Sequence, residues 1–355
     1  MSYDTSYLKD ECAATLQYLP FQLALVLHSS LTIASFFATF YFLEKHIKNS
    51  AIHNNFKFLL HLYFFNCYVR GVFSIANAVS SFQGNRSYCF IFQSSFFYRV
   101  FIFNGTEQNL FMNPIIFQSF HLTFALSQVM DATIKGLLVF ERTVATGRVE
   151  QYEDQKSACW IYLIIVIIFP LSVVYVTYRT ADFNTPSCFA FFAPRNTEQS
   201  VIIMINILFI ASFVFAVLSF IMLRLLILLN NKKLRIQNFR LTTRYQIREN
   251  LTCTRLVSSV LLTGLVVTIF FGSTMTILRS GNIQLFNENR PLFSTVKLAI
   301  FPFTFADLII PIYTGCVMNQ TKNAKLATLN HSLQTFQSRQ QTTDAYENML
   351  RKQWE

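Results

Sequence analysis

The sequence predicts an all-α membrane protein, a seven-transmembrane helix bundle with the N-terminus outside and the C-terminus inside. Three observations lead to this prediction: an oily composition, seven long apolar segments and an uneven distribution of basic residues. Of the 355 residues, 53% are hydrophobic and only 13% are charged, and the mean hydropathy is +0.38. Soluble domains carry about 25% charged residues, so this chain lacks the polar side chains that cover a soluble core.

Seven segments are long and apolar enough to cross a bilayer as helices, which takes about 20 residues. The first six are continuous, whereas the seventh contains Lys297, Pro302, Asp307 and Pro311 and is weaker. Continuous apolarity, rather than alternation, also argues against a barrel of strands. The predicted spans are 19–43, 56–80, 114–140, 158–178, 200–229, 251–277 and 293–318.

The segments around the spans complete the predicted topology. Residues 1–18 form an extracellular N-terminus, and residues 319–355 form a polar cytoplasmic tail to which we assign no role. The opening residues lack the basic start and cleavage site of a signal peptide, so the first span is predicted to be an uncleaved anchor. The aromatic-rich stretch Cys89–Met112 is interrupted by Arg99 and predicts a long outer loop.

Basic residues set the orientation, because they concentrate in the cytoplasmic segments of membrane proteins. With the N-terminus outside, the inner segments hold 18 Lys and Arg residues and the outer segments hold 7. This asymmetry also accounts for the net charge of +11 without nucleic acid, since a basic inner surface faces anionic lipid and cytoplasmic partners.

The predicted outer loops carry two kinds of modification signal. Asn85 and Asn104 begin glycosylation patterns in the first outer loop. Cys89 and Cys188 are the cysteines of the loops between spans, and an oxidising exterior favours a disulfide between them. Cys12 is a third outer cysteine and is an alternative partner.

The stretch FERTVATGRVEQYE places Glu141 and Arg142 side by side at the inner end of the third span. One interpretation is that charges simply resume at the membrane edge, because a charge buried in lipid is costly. The other is functional, since an acid–arginine pair at this place resembles the signature of G-protein-coupled receptors, in which the arginine takes part in a switch.

Four stretches of the chain sharpen this resemblance: SAIHNNFKFLL, FERTVATGRVEQYE, TTRYQIRENLTCTR and TTDAYENMLRKQW. Together they resemble the nematode serpentine chemoreceptors of the Sra superfamily, and most closely the Sre class. The resemblance implies a receptor in the plasma membrane of sensory neurons. Such a receptor detects a small-molecule or pheromone-like ligand and activates a heterotrimeric G protein.

The third inner loop offers a surface for such coupling. Arg240, Arg244 and Arg248 are four residues apart and share one face of a helix, which predicts a helical extension of the sixth span. This basic face either docks a G protein beside Arg142 or binds anionic lipid, and the two interpretations are compatible.

Ionisable residues within spans are candidates for function. Asp131 and Lys135 lie one helical turn apart and can neutralise each other, and Asp307 can pair with Arg70 of the second span. A pocket that opens outward would draw on aromatic and polar side chains at one level of the bundle. The ligand-pocket candidates are Arg70, Gln118, His121, Phe124, Lys297 and Phe301.

Other functions have less support in the sequence. A seven-span ligand-gated channel or transporter is the main alternative, but transporters often show internal repeats, which are not visible here. The chain is predicted not to be an enzyme, and no metal, cofactor or nucleic acid is expected, because no catalytic or phosphate-binding motif is present.

Overall fold

The computed structural model describes residues 5–48, 52–83, 114–148, 158–184, 199–235, 241–280, 289–299, 301 and 303–354. Within these ranges the protein is helical and contains no strand. A short π-helical segment, Leu43–Lys48, continues the second helix. The α-helices are α1 Thr5–Gln17, α2 Leu19–Phe42, α3 Asn54–Gln83, α4 Pro114–Gly147, α5 Ala158–Tyr178, α6 Gln199–Arg235, α7 Leu241–Ser280, α8 Arg290–Ala299 and α9 Phe303–Trp354.

Within the described ranges, seven helical stretches are long and apolar enough to cross a membrane. The predicted fold class, an all-α bundle of seven membrane spans, is therefore confirmed. The first span includes the π-helical segment, and the seventh is formed by α8 together with the first part of α9. The spans are Leu19–Lys48, Asn54–Val79, Pro114–Gly147, Cys159–Tyr178, Ser200–Arg235, Thr243–Thr274 and Pro291–Ala324.

Helix α4 lies at the centre of the bundle and packs against α3, α5, α6 and α7. Helices α2 and α9 complete the bundle, in which α2 packs against α3, and α9 packs against both α2 and α7. The ends of α2, α4 and α6 and the beginnings of α3 and α7 meet at one end of the bundle. We call this the basic end, because Lys232, Lys233, Arg235, Arg244 and Arg248 lie on the helices that meet there.

The largest apolar core runs through the half of the bundle nearer the basic end. Phe56, Tyr63, Ile134 and Leu138 are at most 1% exposed and pack with residues of α5, α6, α7 and α9. Helices α2 and α3 also approach closely at Gly71, where an added Cβ would lie 2.5 Å from a ring carbon of Phe36. Small residues at helix interfaces allow backbones in lipid to approach closely.

Helix α6 contrasts with this core because most of its side chains face outward. Only 6% of its most apolar stretch is buried, as expected for a helix that is surrounded by lipid. An open, apolar cavity of about 490 Å³ lies along this outer face, away from the polar clusters of the bundle. The cavity is lined by Ile207, Ile210, Ala211, Val214, Phe215 and Leu218.

The two termini are more regular than the sequence indicates. Helix α1 packs against α2 and α8 at the end of the bundle opposite the basic end. Helix α9 has 52 residues and continues through Pro311 into the predicted tail. At 1.5 Å per residue it is about 78 Å long, whereas the hydrocarbon core of a bilayer is about 30 Å thick. Its second half therefore extends beyond the membrane.

Candidate functional site

Glu141 and Arg142 are fully buried at the basic end, with 0% and 1% of their surfaces exposed. Arg142 donates from Nε to Oε2 and from Nη2 to Oε1 of Glu141, at 2.5 Å each. The two residues thus form a two-point ion pair inside the bundle, where protein rather than lipid headgroups surrounds it. Such pairs combine charge with fixed geometry.

Residues of α3 and α7 complete the surroundings of this pair. The guanidinium carbon of Arg142 lies 4.4 Å from the ring centroid of Phe56 on α3, a favourable cation–π distance. Arg142 Nη1 donates to Asn250 Oδ1 of α7 at 3.4 Å, and Asn250 Nδ2 donates to the carbonyl of Ala145 at 2.9 Å. We call Phe56, Glu141, Arg142, Ala145 and Asn250 the Arg142 cluster.

Further polar contacts attach α6 and α3 to the same end. Asn230 Nδ2 donates to Thr146 Oγ1 at 3.1 Å, and Lys233 Nζ donates to the Thr146 carbonyl at 2.7 Å. The backbone N–H of His53 donates to Glu249 Oε1 at 2.9 Å. The basic end of α4 is therefore joined to α6 and α7 by hydrogen bonds, and α7 is joined in turn to the segment that precedes α3.

The predicted helical extension of the sixth span is confirmed, since α7 begins at Leu241. Arg248 and Tyr245 are exposed on this extension, Arg244 is partly buried, and Ile247 is buried against the core. The exposed side of α7 therefore presents basic and aromatic groups next to the Arg142 cluster. Arg240 lies outside the described residues.

A second buried ion pair lies deeper in the bundle and joins α3 to α9. Arg70 Nε donates to Asp307 Oδ2 at 3.0 Å, and Arg70 Nη2 also contacts Asp307 Oδ1. The side chains are 4% and 6% exposed. The contact that the sequence predicts between these two charges is present. Phe303 covers it, with its ring centroid 5.2 Å from the guanidinium carbon.

His28 of α2 lies beside this pair at the beginning of α9. Its Nδ1 is 2.9 Å from Thr304 Oγ1, and its ring packs against Phe301 and Phe305. Phe124 of α4 meets Phe301 edge-on with ring centroids 6.5 Å apart. Arg70, Phe124 and Phe301, three of the predicted pocket residues, are thus brought together around the beginning of α9.

The other three predicted pocket residues lie elsewhere. His121 belongs to a separate aromatic cluster, where its Nε2 is 3.2 Å from the hydroxyl of Tyr178 and its ring packs on Phe117. Gln118 is exposed, and Lys297 lies over the ring of Phe293 at 5.8 Å. The structure therefore does not gather all six residues into one pocket.

Asp131 and Lys135 form an ion pair within α4, with Lys135 Nζ 2.5 Å from Asp131 Oδ2. Lys135 also lies over the ring of Tyr63, 5.7 Å from its centroid. One turn earlier, Ser127 Oγ donates to Asn66 Oδ1, and Asn66 Nδ2 donates to the Ser127 carbonyl, both at 2.9 Å. The ion pair neutralises the two charges of α4, and the hydrogen bonds satisfy the polar groups that α3 and α4 bring into the membrane.

The predicted modification sites fall mainly outside the described residues. This applies to the glycosylation sites Asn85 and Asn104 and to both members of the predicted disulfide, Cys89 and Cys188. Cys12, the alternative partner, is disulfide-bonded. The free cysteines of the described ranges are Cys67, Cys159, Cys253 and Cys316.

Several residues of these clusters are not among the predicted site residues. The sequence shows His28 as an ionisable residue within the first span, but its contact with Thr304 depends on the packing of α2 on α9. Asn250 ends the segment RYQIREN, the most specific part of the sequence resemblance. Phe56 carries no such signal, because it is one of 40 phenylalanines.

Seven apolar helices, a buried ion pair between two of them and a polar cluster at one end define a multi-pass membrane protein with the organisation of a seven-helix receptor. The family model of the serpentine type 7TM GPCR receptor class ab chemoreceptors matches residues 112–355. Because this match covers more than half of the chain, the protein belongs to that family.

Two relatives from Caenorhabditis elegans extend the similarity over nearly the whole chain. Serpentine receptor class beta-16 is 26% identical over 346 residues, which cover 97% of this chain and 95% of the relative. Serpentine receptor class beta-17 is 26% identical over 344 residues, which cover 94% of this chain and 87% of the relative.

The prediction of a nematode serpentine chemoreceptor is confirmed. The matching class is named ab, whereas the motifs of the sequence indicate the Sre class. Since the family is one of receptors, the prediction that the chain is not an enzyme is also confirmed.

Proposed function

We propose that this chemoreceptor detects a small-molecule or pheromone-like ligand and activates a heterotrimeric G protein through its basic end. The observation that supports the proposal is the complete burial of Arg142 between α3, α4 and α7. A buried arginine that contacts three helices responds to any change in their packing. It is therefore well suited to couple helix movement to a surface for a partner protein.

The docking surface is formed by the end of α6 and the beginning of α7. Arg244 and Arg248 lie one turn apart on α7, and Arg240 belongs to the same predicted face. A basic surface accelerates association with an acidic partner and favours one orientation. The same residues also attract anionic lipid, which would hold the surface close to the membrane.

This assignment orients the receptor with the basic end in the cytoplasm and α1 outside. The excess of Lys and Arg in the predicted inner segments supports that orientation. A chemoreceptor with this topology would function in the plasma membrane of a sensory neuron, with its ligand entering from the end that carries α1.

The ligand would contact the outward half of the bundle, where Phe124, Phe301 and Arg70 surround the beginning of α9. His121, Gln118 and Lys297 belong to the neighbouring helices at the same end and remain candidates for contacts nearer the entrance. Aromatic rings supply the contact area in such pockets, and a few polar groups orient the ligand.

The test is a G-protein activation assay on cells that express wild-type receptor or Arg142→Ala, with surface expression measured in parallel. We expect Arg142→Ala to reduce coupling while the protein still reaches the surface. Arg224→Ala is a matched control, because Arg224 is exposed on α6 and lies over the ring of Phe220. Unchanged coupling in Arg142→Ala would refute the role of Arg142, and a ligand-gated current without G-protein activation would indicate a channel.

A further inference from the structure

The first and seventh spans meet at the basic end. The first span ends in the π-helical segment Leu43–Lys48, and the seventh ends at Ala324. Gly315 of α9 lies at this contact, where an added Cβ would be 3.6 Å from both His46 Nε2 and a ring carbon of Phe42. The rings of Phe42 and His46 also pack together, with centroids 5.6 Å apart. The last turn of the first span is therefore held against α9.

Three basic residues gather beside this contact. Lys45 and His46 are neighbours in the π-helical segment, and Lys322 follows Gly315 by two turns on the same face of α9. The charges of Lys45 and Lys322 both act on His46, so the three side chains lie within electrostatic range of one another. Both lysines are exposed, and His46 is partly exposed. We call Lys45, His46 and Lys322 the basic triad, which lies open on the surface of the bundle.

Among the described residues, neither lysine of the basic triad forms an ion pair with an acid. The neighbouring acid, Glu44, pairs with Lys48 at 2.9 Å. Lys45 donates to the neutral hydroxyl of Tyr41 and lies over its ring, 4.8 Å from the centroid. Like charges that are held close together disfavour each other, and a bound anion relieves this repulsion. The basic triad therefore indicates a site for an anion.

The position of the basic triad determines which anion fits. All three residues lie in the last turns of their spans, which end at Lys48 and Ala324, and so at the level of the lipid headgroups. Tyr41, one turn deeper, is 58% exposed, and tyrosines are enriched at membrane interfaces. Basic pockets between spans bind phosphorylated lipid headgroups. A phosphate monoester carries about 1.5 to 2 negative charges, so it matches two lysines better than a singly charged headgroup does.

We propose that Lys45, His46 and Lys322 bind the phosphate monoester of an anionic lipid headgroup at the membrane edge, between the first and seventh spans. The two lysines supply charge, and the imidazole of His46, held by Phe42, donates a hydrogen bond to a phosphate oxygen. The bound lipid would join the ends of the two spans. The proposal goes beyond the proposed function, because lipid binding at this site requires no G protein.

The experiment measures the lipids that the full-length receptor retains when it is released from nanodiscs into a native mass spectrometer. The nanodiscs contain phosphatidylcholine together with phosphatidylinositol monophosphate or phosphatidylserine, and the two anionic lipids are present at equal total charge. We expect the wild-type receptor to retain phosphatidylinositol monophosphate about 10-fold more than phosphatidylserine. Equal retention of the two lipids would overturn the proposal, since it would show attraction to membrane charge alone.

Lys45→Gln and Lys322→Gln test the two sides of the site. We expect each change to reduce the preference for phosphatidylinositol monophosphate about fivefold, and the double variant to lose it. The matched control is Lys232→Gln combined with Arg235→Gln, because both residues are exposed on α6 at the same end and the total charge removed is equal. The proposal also fails if the double variant keeps the preference, or if the control loses it to the same extent.

Competition with water-soluble inositol monophosphate separates a lipid from a free phosphate ester as the ligand. The lipid anchor confines the headgroup to the level of the basic triad and so raises its effective concentration there. We expect the soluble compound to leave the bound lipid in place when the two are supplied at equal concentration. Displacement of the lipid under that condition would identify the ligand as a free phosphate ester and contradict the assignment to a lipid.

Discussion

Two arginines are buried in the described part of this receptor, and their charges are neutralised in different ways. Arg70 pairs with Asp307, a residue of another helix that is 237 positions away in the chain, and so the ion pair itself joins α3 to α9. Arg142 pairs with Glu141, its neighbour in the chain. That pair joins no helices, and at the basic end the neutral amide of Asn250 makes the contact between α4 and α7.

This difference separates a contact that supports the fold from one that can change during function. Breaking a pair between helices leaves a buried charge without a partner, which is strongly destabilising. Releasing Asn250 leaves Arg142 still neutralised by Glu141, so the helices can separate at moderate cost. We therefore expect changes at Arg70 and Asp307 to affect folding first, and changes at Asn250 to affect signalling first.

The largest effect is expected from single changes that break the pair between helices. Arg70→Leu or Asp307→Leu should destabilise the receptor by about 3–5 kcal/mol and greatly reduce its delivery to the cell surface. The exposed pair of Lys48 and Glu44 provides the control, because Glu44→Gln should cost less than about 1 kcal/mol. Surface labelling measures delivery to the cell surface, and thermal unfolding of purified receptor measures the change in stability.

Exchange of the two charges tests the same pair more strictly. We expect Arg70→Asp combined with Asp307→Arg to restore part of the surface delivery that either reversal alone abolishes. A double variant that is no better than the single variants would show that the two charges do not stabilise each other.

Gly71 should show the next largest effect, because it allows α2 to approach α3 beside Arg70. An added Cβ would lie 2.5 Å from a ring carbon of Phe36 and 2.8 Å from the methyl group of Thr32. We expect Gly71→Ala to lose about 1–3 kcal/mol of stability from overpacking. Gly147→Ala is the matched control, since an added Cβ there meets nothing within 4 Å in the part of the chain that the structure describes. Equal thermal midpoints for the two variants would contradict the close contact.

Asn250→Leu should alter signalling more than stability. The change removes the hydrogen bonds of Asn250 with Ala145 and Arg142. If the packed arrangement of α4 and α7 loses about 1–2 kcal/mol, the population in which the two helices are separated rises by about 5–30-fold. We expect basal G-protein activation to rise while surface expression persists. Thr252→Val is the control, because among the described residues Thr252 bonds only within its own helix, to the Arg248 carbonyl at 3.0 Å. Basal activity equal to that of the control would refute the role of Asn250.

The smallest effect is expected from the ion pair within α4. Asp131 and Lys135 are 12% and 15% exposed and lie one turn apart on α4, and the contact of Lys135 with α3 is the weaker one to the Tyr63 ring. Replacing both, as Asp131→Asn with Lys135→Gln, should change stability by less than about 1 kcal/mol, because no unpaired charge remains. Either single replacement should cost more than the double replacement, as thermal unfolding would show.

The span arrangement and the Arg70–Asp307 contact could be predicted because each follows from a strong physical requirement. Twenty apolar residues identify a span, and a charge within a span requires a partner. The role of Asn250 could not be predicted in this way, since a neutral amide changes hydropathy little and its partner is a backbone carbonyl. The residues of the ligand pocket were predicted less well. Gln118 and His121 share a helix face only approximately, and of these two only His121 is buried.

The beginning of α9 illustrates a partial signal. Pro302 and two charges weaken the hydropathy of the seventh span, which indicates an irregular segment, but no local pattern shows that His28 would contact Phe301 and Thr304 there. The long helix α9 also exceeds the sequence prediction of a polar tail. Its helix continues without interruption from the membrane into residues whose polarity alone predicts no fixed structure.

We expect Asn250 to hold α4 and α7 together at the basic end until a G protein engages. A distance between spin-labelled amino acids at positions 148 and 245, measured in nanodiscs, tests it directly, because Arg148 and Tyr245 are both exposed there. We expect the distance to lengthen by several ångströms in Asn250→Leu and in wild type with nucleotide-free G protein. The same distance distribution in all three samples would contradict the account.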